Sequence, residues 1–163
     1  MTIRILAGAS LALACALAPA RAAEDAAITR LATCQDSWSD WSKTAPGKLK
    51  ALGEHFRAGY AEKEGEAFFV PKKETSIAGL RVVQAFPGNV GMGVGFSLTV
   101  DAGYDRTRAV MERLLGKRLV KCEASDGMHS CELDIAPQRT FTLMAADNDK
   151  NHTLVGCYYY YEK

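Results

Sequence analysis

Beyond its first 22 residues this sequence holds no apolar run approaching the roughly 20 residues that a membrane-spanning helix needs. No transmembrane segment is therefore expected in the remainder. An excess of either charge is missing as well: 20 Lys and Arg stand against 19 Asp and Glu, a formal net charge of +1. Without a basic surplus, neither nucleic acid nor an anionic membrane is an expected partner. Neither G-x-G-x-x-G nor G-x-x-x-x-G-K-[ST] occurs, so the two common glycine-rich phosphate loops are absent. There is no G-x-S-x-G and no C-x-x-C pair, which removes the serine-hydrolase elbow and the simplest zinc knuckle.

The first 22 residues, MTIRILAGASLALACALAPARA, have a basic start at Arg4, an apolar stretch from Ile5 to Ala18 and a small-residue end at Ala20-Arg21-Ala22. That is the layout of a secretory signal peptide. Cys15 is a poor lipidation site, because the apolar run continues past it to Ala18. The expectation is a signal peptide over 1–22, then a periplasmic or secreted domain over 23–163. Without Arg4 and Arg21 the balance becomes 18 basic against 19 acidic groups, a formal charge of about −1.

Four cysteines remain after the leader: Cys34, Cys122, Cys131 and Cys157. An even number in an exported chain implies disulfides, with three pairings open to four cysteines. Geometry prefers one of them. Asp126-Gly127 is a strong two-residue hairpin signal, because both central positions of a type I′ turn need positive φ. Centring the turn there sets 125 against 128, 124 against 129 and 122 against 131. The 122:131 pair falls at a close, non-hydrogen-bonded position within reach of a disulfide. Cys34 and Cys157 are then joined by elimination.

Apolar residues recur at helical spacing over Ala26 to Ser42, with Asp25 as N-cap, and Leu49, Leu52, Phe56 and Tyr60 repeat it towards Gly65. From Glu66 the pattern turns to strands: Ala67–Val70, Leu80–Phe86, and, after a turn at Pro87-Gly88-Asn89, Val90–Asp101. A helix over 105–118 follows, then strands near 119–124, 128–135, 139–146 and 153–161. Short turns imply antiparallel neighbours. The expected fold is one α+β domain: a mainly antiparallel sheet of about six strands, N-terminal helices, one inserted helix at 105–118 and two disulfides.

The run Asn89 to Val100, NVGMGVGFSLTV, separates with period two. Met92, Val94, Phe96, Leu98 and Val100 form a core face, whereas Gly91, Gly93 and Gly95 strip the other face almost bare. Glycine inside a strand commonly marks a bulky neighbour. If Cys157 points to the helix carrying Cys34, Tyr158 and Tyr160 stand on the opposite side, where their rings can lie over the glycines. A partner surface is the rival use, since tyrosine is enriched at interfaces.

Arg106, Arg108 and Arg113 on the inserted helix complete the candidate partner surface formed with Gly91, Gly93, Gly95, Tyr158 and Tyr160. The spacing of Asp147, Asp149 and Asn151 hints at a calcium loop, but His152 and Tyr158 replace the required glycine and glutamate, so a polar turn is preferred. His55, His129 and His152 are the acid-base candidates near neutral pH, and none sits in a nucleophile motif. His129 falls opposite Ala124 near the hairpin tip, an exposed position. No cofactor, metal or catalytic residue is assigned. The chain reads as an exported, non-enzymatic binding protein, in its sharpest form an inhibitor or immunity-type protein with a protein partner in the cell envelope. Alternatives are a binder of small apolar ligands and a hydrolase with a dispersed site.

Overall fold

A computed structural model describes residues 23–24, 26–37, 53–60, 67–90 and 93–160. Among the described residues ten strands form one sheet: β1 Ala23–Glu24, β2 Phe56–Tyr60, β3 Ala67–Pro71, β4 Thr75–Ile77, β5 Leu80–Val90, β6 Gly93–Asp101, β7 Lys121–Ser125, β8 Met128–Ala136, β9 Arg139–Ala146 and β10 His152–Tyr160. Their order is β1-β4-β5-β6-β10-β9-β8-β7, with β3 also beside β5 and β2 beside β3. All pairings are antiparallel except that of the two-residue β1 with β4. Helices α1, Ala26–Ala32, and α2, Tyr104–Leu115, complete the described elements apart from a helical turn at 53–55. The mainly antiparallel sheet is as expected, but among the described residues there are more strands than six and less helix.

Two expectations need correction, at residues 56–60 and 87–89. The apolar spacing at Phe56 and Tyr60 belongs to strand β2, paired residue by residue with β3 from Phe56 opposite Pro71 to Tyr60 opposite Ala67. Gly59 disfavours a helix there, and pairing gives the backbone of β3 a partner that a helix would not. Pro87-Gly88-Asn89 is not a turn but the end of β5, where Asn89 faces Val94 and Val90 faces Gly93. Residues 91 and 92 lie outside the described residues.

Helix α1 stops at Ala32, ten residues before the expected end. Cys34 takes a left-handed φ of 63°, its amide reaches Leu31 O at 3.3 Å, and the Gln35 amide reaches Arg30 O at 2.9 Å. This is a Schellman cap with cysteine in the position usually given to glycine. Residues 38–42 lie outside the described residues. Helix α2 ends the same way at Leu115, three residues short of 118, with Gly116 beyond it at φ 64°.

Both expected bridges are present. Cys122 faces Cys131 in the register set by Asp126 and Gly127, which have φ of 52° and 77°, and the two Cα atoms are 4.1 Å apart. Cys34 joins Cys157 with Cα atoms 5.2 Å apart. No helix among the described residues is long and apolar enough to cross a membrane; residues 1–22 lie outside them.

The sheet has two distinct faces. Ala85, Leu98, Val155, Leu143 and Cys131 oppose one another across five adjacent strands, and all are fully buried. The adjacent row, Phe96, Cys157 and Phe141, is equally buried. Ile28 and Leu31 of α1 and Met111 of α2 join this core, so both helices cover the same face. The opposite face carries Ser97, Gly156 and Thr142 in one row and Gly95, Tyr158 and Thr140 in the next.

Beyond α2 the chain is tied back by Glu112, whose carboxylate accepts the Leu119 amide at 2.9 Å and Arg108 at 3.3 Å. The Leu119 amide first, and Arg108 after it, hold this carboxyl below its usual range. A carboxyl lowered on folding contributes stability that is full above its unfolded pKa, about 4.3, and lost as the pH falls through the folded value. Glu112→Gln is therefore expected to cost about 1 kcal/mol at neutral pH. Urea unfolding of both proteins should show the gap closing in acid, and a pH-independent gap would contradict the assignment.

Candidate functional site

The described residues surround a cleft of about 480 Å³ where the start of α2 meets the far end of β8 and β9. Gly103, Tyr104, Asp105 and Arg106 form one wall, His129 of β8 another, and Ala145 and Ala146 of β9 the floor. The turn carrying Asp147, Asp149 and Lys150 closes it.

Local chemistry fixes this arrangement. The hydroxyls of Thr107 and Thr153 both donate to Ala102 O, at 3.2 and 2.8 Å, fastening the entry of α2 to β10. Gly103 is the N-cap in extended conformation. A Cβ there would stand 2.5 Å from Lys150 O, so only glycine lets the β9–β10 turn close on the helix start.

Tyr104 is the apolar element of the cleft. Its ring lies 5.2 Å from that of His129, tilted by 37°, and its hydroxyl donates to Cys131 Sγ at 2.8 Å. Burial, the largest cause, pushes the phenol above its ordinary pKa. It is therefore a neutral hydrogen-bond donor at physiological pH, anchored on the hairpin bridge.

The carboxylates of the turn are engaged inside the molecule. Asp147 Oδ1 lies 3.1 Å from His129 Nε2, and both side chains are about half exposed. Asp149 accepts the amides of Asn151 and His152 at 3.0 and 3.1 Å and lies 2.9 Å from His152 Nδ1. Its carboxyl is held low, chiefly by the Asn151 amide and then by His152. The Asx-type geometry is what a polar turn needs. Among the described residues no three His, Cys, Asp or Glu side chains cluster closely enough to hold a metal.

The expected partner surface divides into two surfaces on opposite faces of the sheet. Arg106 reaches the cleft on the helix-covered side. Arg108 is spent on structure, pairing with Glu112 and donating to Leu119 O at 2.8 Å, while Arg113 is exposed near the end of α2. Gly95 and Tyr158 oppose each other on the other face, and Gly93 pairs with Tyr160 further along the same ladder. The Tyr158 ring covers Gly95, with Cδ1 2.8 Å from where a Cβ would stand. Gly91 lies outside the described residues. His55 precedes β2, where its carbonyl accepts the Lys72 amide at 2.8 Å, and it does not line the cleft.

Sequence reasoning missed the grouping of Tyr104, His129 and Asp147. A signal existed in the parity of the hairpin: residues 129 and 131 share one side, and that side faces α2. Compared with protein-family models, curated proteins and solved structures, the chain matches none of them. Fold and site together describe a disulfide-stapled, mainly antiparallel sheet with a cleft of mixed polar and apolar lining at one end.

Proposed function

We propose that this chain is an exported, non-enzymatic binding domain of the cell envelope that engages a partner protein through the cleft at the start of α2. An inhibitor or immunity-type protein is the sharpest form of the reading. Its main support is the composition of the cleft: the Tyr104–His129 ring wall, cations on the rim and a small-residue floor. An aromatic wall beside arginine is typical of positions that dominate protein interfaces. The two bridges fit an oxidising compartment.

Affinity capture from a periplasmic extract is expected to recover a stoichiometric protein, and His129→Ala should weaken its binding at least about tenfold. A captured protein that binds this variant as tightly as the wild type would remove the cleft from the interface.

One observation favours a second reading. Asp147 bonds Nε2 of His129, which is how a carboxylate orients an imidazole for acid-base work at its other nitrogen. Turnover of an envelope polymer that disappears in both His129→Ala and Asp147→Asn would establish the hydrolase instead.

A further inference from the structure

Strand β7 ends the sheet: among the described residues it pairs with β8 alone, and every residue of it is exposed except the half-buried Cys122. Cys122 and Ala124 stand at non-hydrogen-bonded positions of that ladder, so their N–H and C=O groups point away from β8 towards the open edge. Helix α2 packs on β9 and β10 and does not cover this edge. Val120, directly ahead of the strand, is 78% exposed, the most exposed large apolar side chain among the described residues.

An open edge is a template for another strand, and a charge on it normally keeps such strands away. The charges of β7 are arranged differently. Lys121 and Glu123 flank Cys122 symmetrically and share one face of the sheet. Further out, Lys117 and Arg118 make the approach to the strand basic, and Asp126 makes its exit acidic. Glu123 and Asp126 enter no ion pair among the described residues.

We infer that β7 pairs with β7 of a second copy of this chain, antiparallel and centred on Cys122. A twofold axis at that position sets Lys121 of each copy opposite Glu123 of the other, at close, non-hydrogen-bonded positions. Val120 then meets Ala124, and the outward N–H and C=O groups of Cys122 and Ala124 gain partners. Only this register opposes the two charges. Centring on Lys121 or on Glu123 sets like charges against each other, and a shift of one residue turns the outward groups of one strand towards residues already bonded to β8. Lys121 also bonds Asp134 of β8, but both side chains are largely exposed and an ammonium has donors left for a second carboxylate. The contact spans about five residues a side, against the roughly 20 to 30 of a stable complex, so the dimer is transient. No residue lining the cleft belongs to β7, and the twofold places the helix-covered faces of both copies on the same side of one continuous sheet.

Sedimentation velocity of the full chain between about 5 µM and about 1 mM should show self-association with a dissociation constant of about 0.1 mM. Over the same range the NMR signals of the Cys122 and Ala124 amides should shift, and those of Lys121 and Glu123, bonded to β8, should move less. Lys121→Glu and Glu123→Lys should each weaken the dimer at least about tenfold, because either one turns both opposed pairs repulsive. An equimolar mixture of the two variants should associate again, as should the variant carrying both substitutions, since every opposed pair is then of unlike charge. Glu123→Lys leaves the Lys121–Asp134 pair in place, and an unchanged melting temperature shows that its fold persists. A chain that stays monomeric up to about 1 mM overturns the inference. So does a dimer that ignores both single substitutions, or a mixture or swapped variant that fails to associate.

Discussion

Replacing Cys34 and Cys157 together by alanine is expected to lower the melting temperature by about 15 °C, the largest loss of any covalent change. The two cysteines are 123 residues apart in sequence. Restricting a loop of that length in the unfolded chain is worth about 5 kcal/mol in the chain-entropy model, against about 3 kcal/mol for a bridge between residues 9 apart, as Cys122 and Cys131 are. The folded state adds to the contrast. Cys34 and Cys157 are both buried, and Cys34 holds the left-handed conformation that ends α1. Beside them the Tyr159 hydroxyl donates to Asp36 O at 2.6 Å, so the junction of α1 with β10 loses its covalent member but keeps a polar one. Calorimetry of the two double variants checks the order. A hairpin variant that melts below the long-range variant would overturn it.

Gly156→Ala should destabilise more than Gly95→Ala, by about 3 kcal/mol against about 1. At Gly156 the new Cβ would stand 2.6 Å from Phe96 O, 2.6 Å from Ser97 Cβ and 2.7 Å from Ser97 Cα. Those atoms belong to the adjoining strand β6, so relief requires moving a central strand away from its ladder. At Gly95 the nearest atoms are Cδ1 and Cε1 of Tyr158, at 2.8 and 3.0 Å. A tyrosine ring yields by rotating about its side-chain bonds, although Cys157 O at 3.2 Å limits how far the change is tolerated. Denaturant midpoints at equal slope separate the two, and equal losses would mean that the Tyr158 ring is as immobile as the β6 backbone.

How far the sequence revealed these features depended on whether a local rule governed them. Asp126-Gly127 specified turn, register and bridge at once, because a two-residue loop with two positive φ values leaves one alignment. Strand β6 was readable by parity: Phe96, Leu98 and Val100 are all buried in one core face. Strand β2 was not, because Phe56 and Tyr60 are four apart, a spacing that is one helical turn and also two strand repeats. Strand β4 has only three residues, too few for any period, and only the Ala78-Gly79 turn, with φ of 46° and 77°, marks its end. The importance of Gly156 was hidden because its neighbours lie some 60 positions earlier in the chain. The cleft was hidden for the same reason, since Tyr104, His129 and Asp147 meet only after three elements have packed.

The bridge between Cys34 and Cys157 also governs how the molecule carries mechanical load. A pull applied ahead of Cys34 and beyond Cys157 enters one sulfur and leaves by the other. Strands β2 to β9, including the cleft wall at His129, lie between those sulfurs in the chain and outside the loaded path. Tension along the polypeptide is therefore borne by a covalent bond, and the hydrogen-bonded ladders that shape the cleft are shielded from it while that bond is intact.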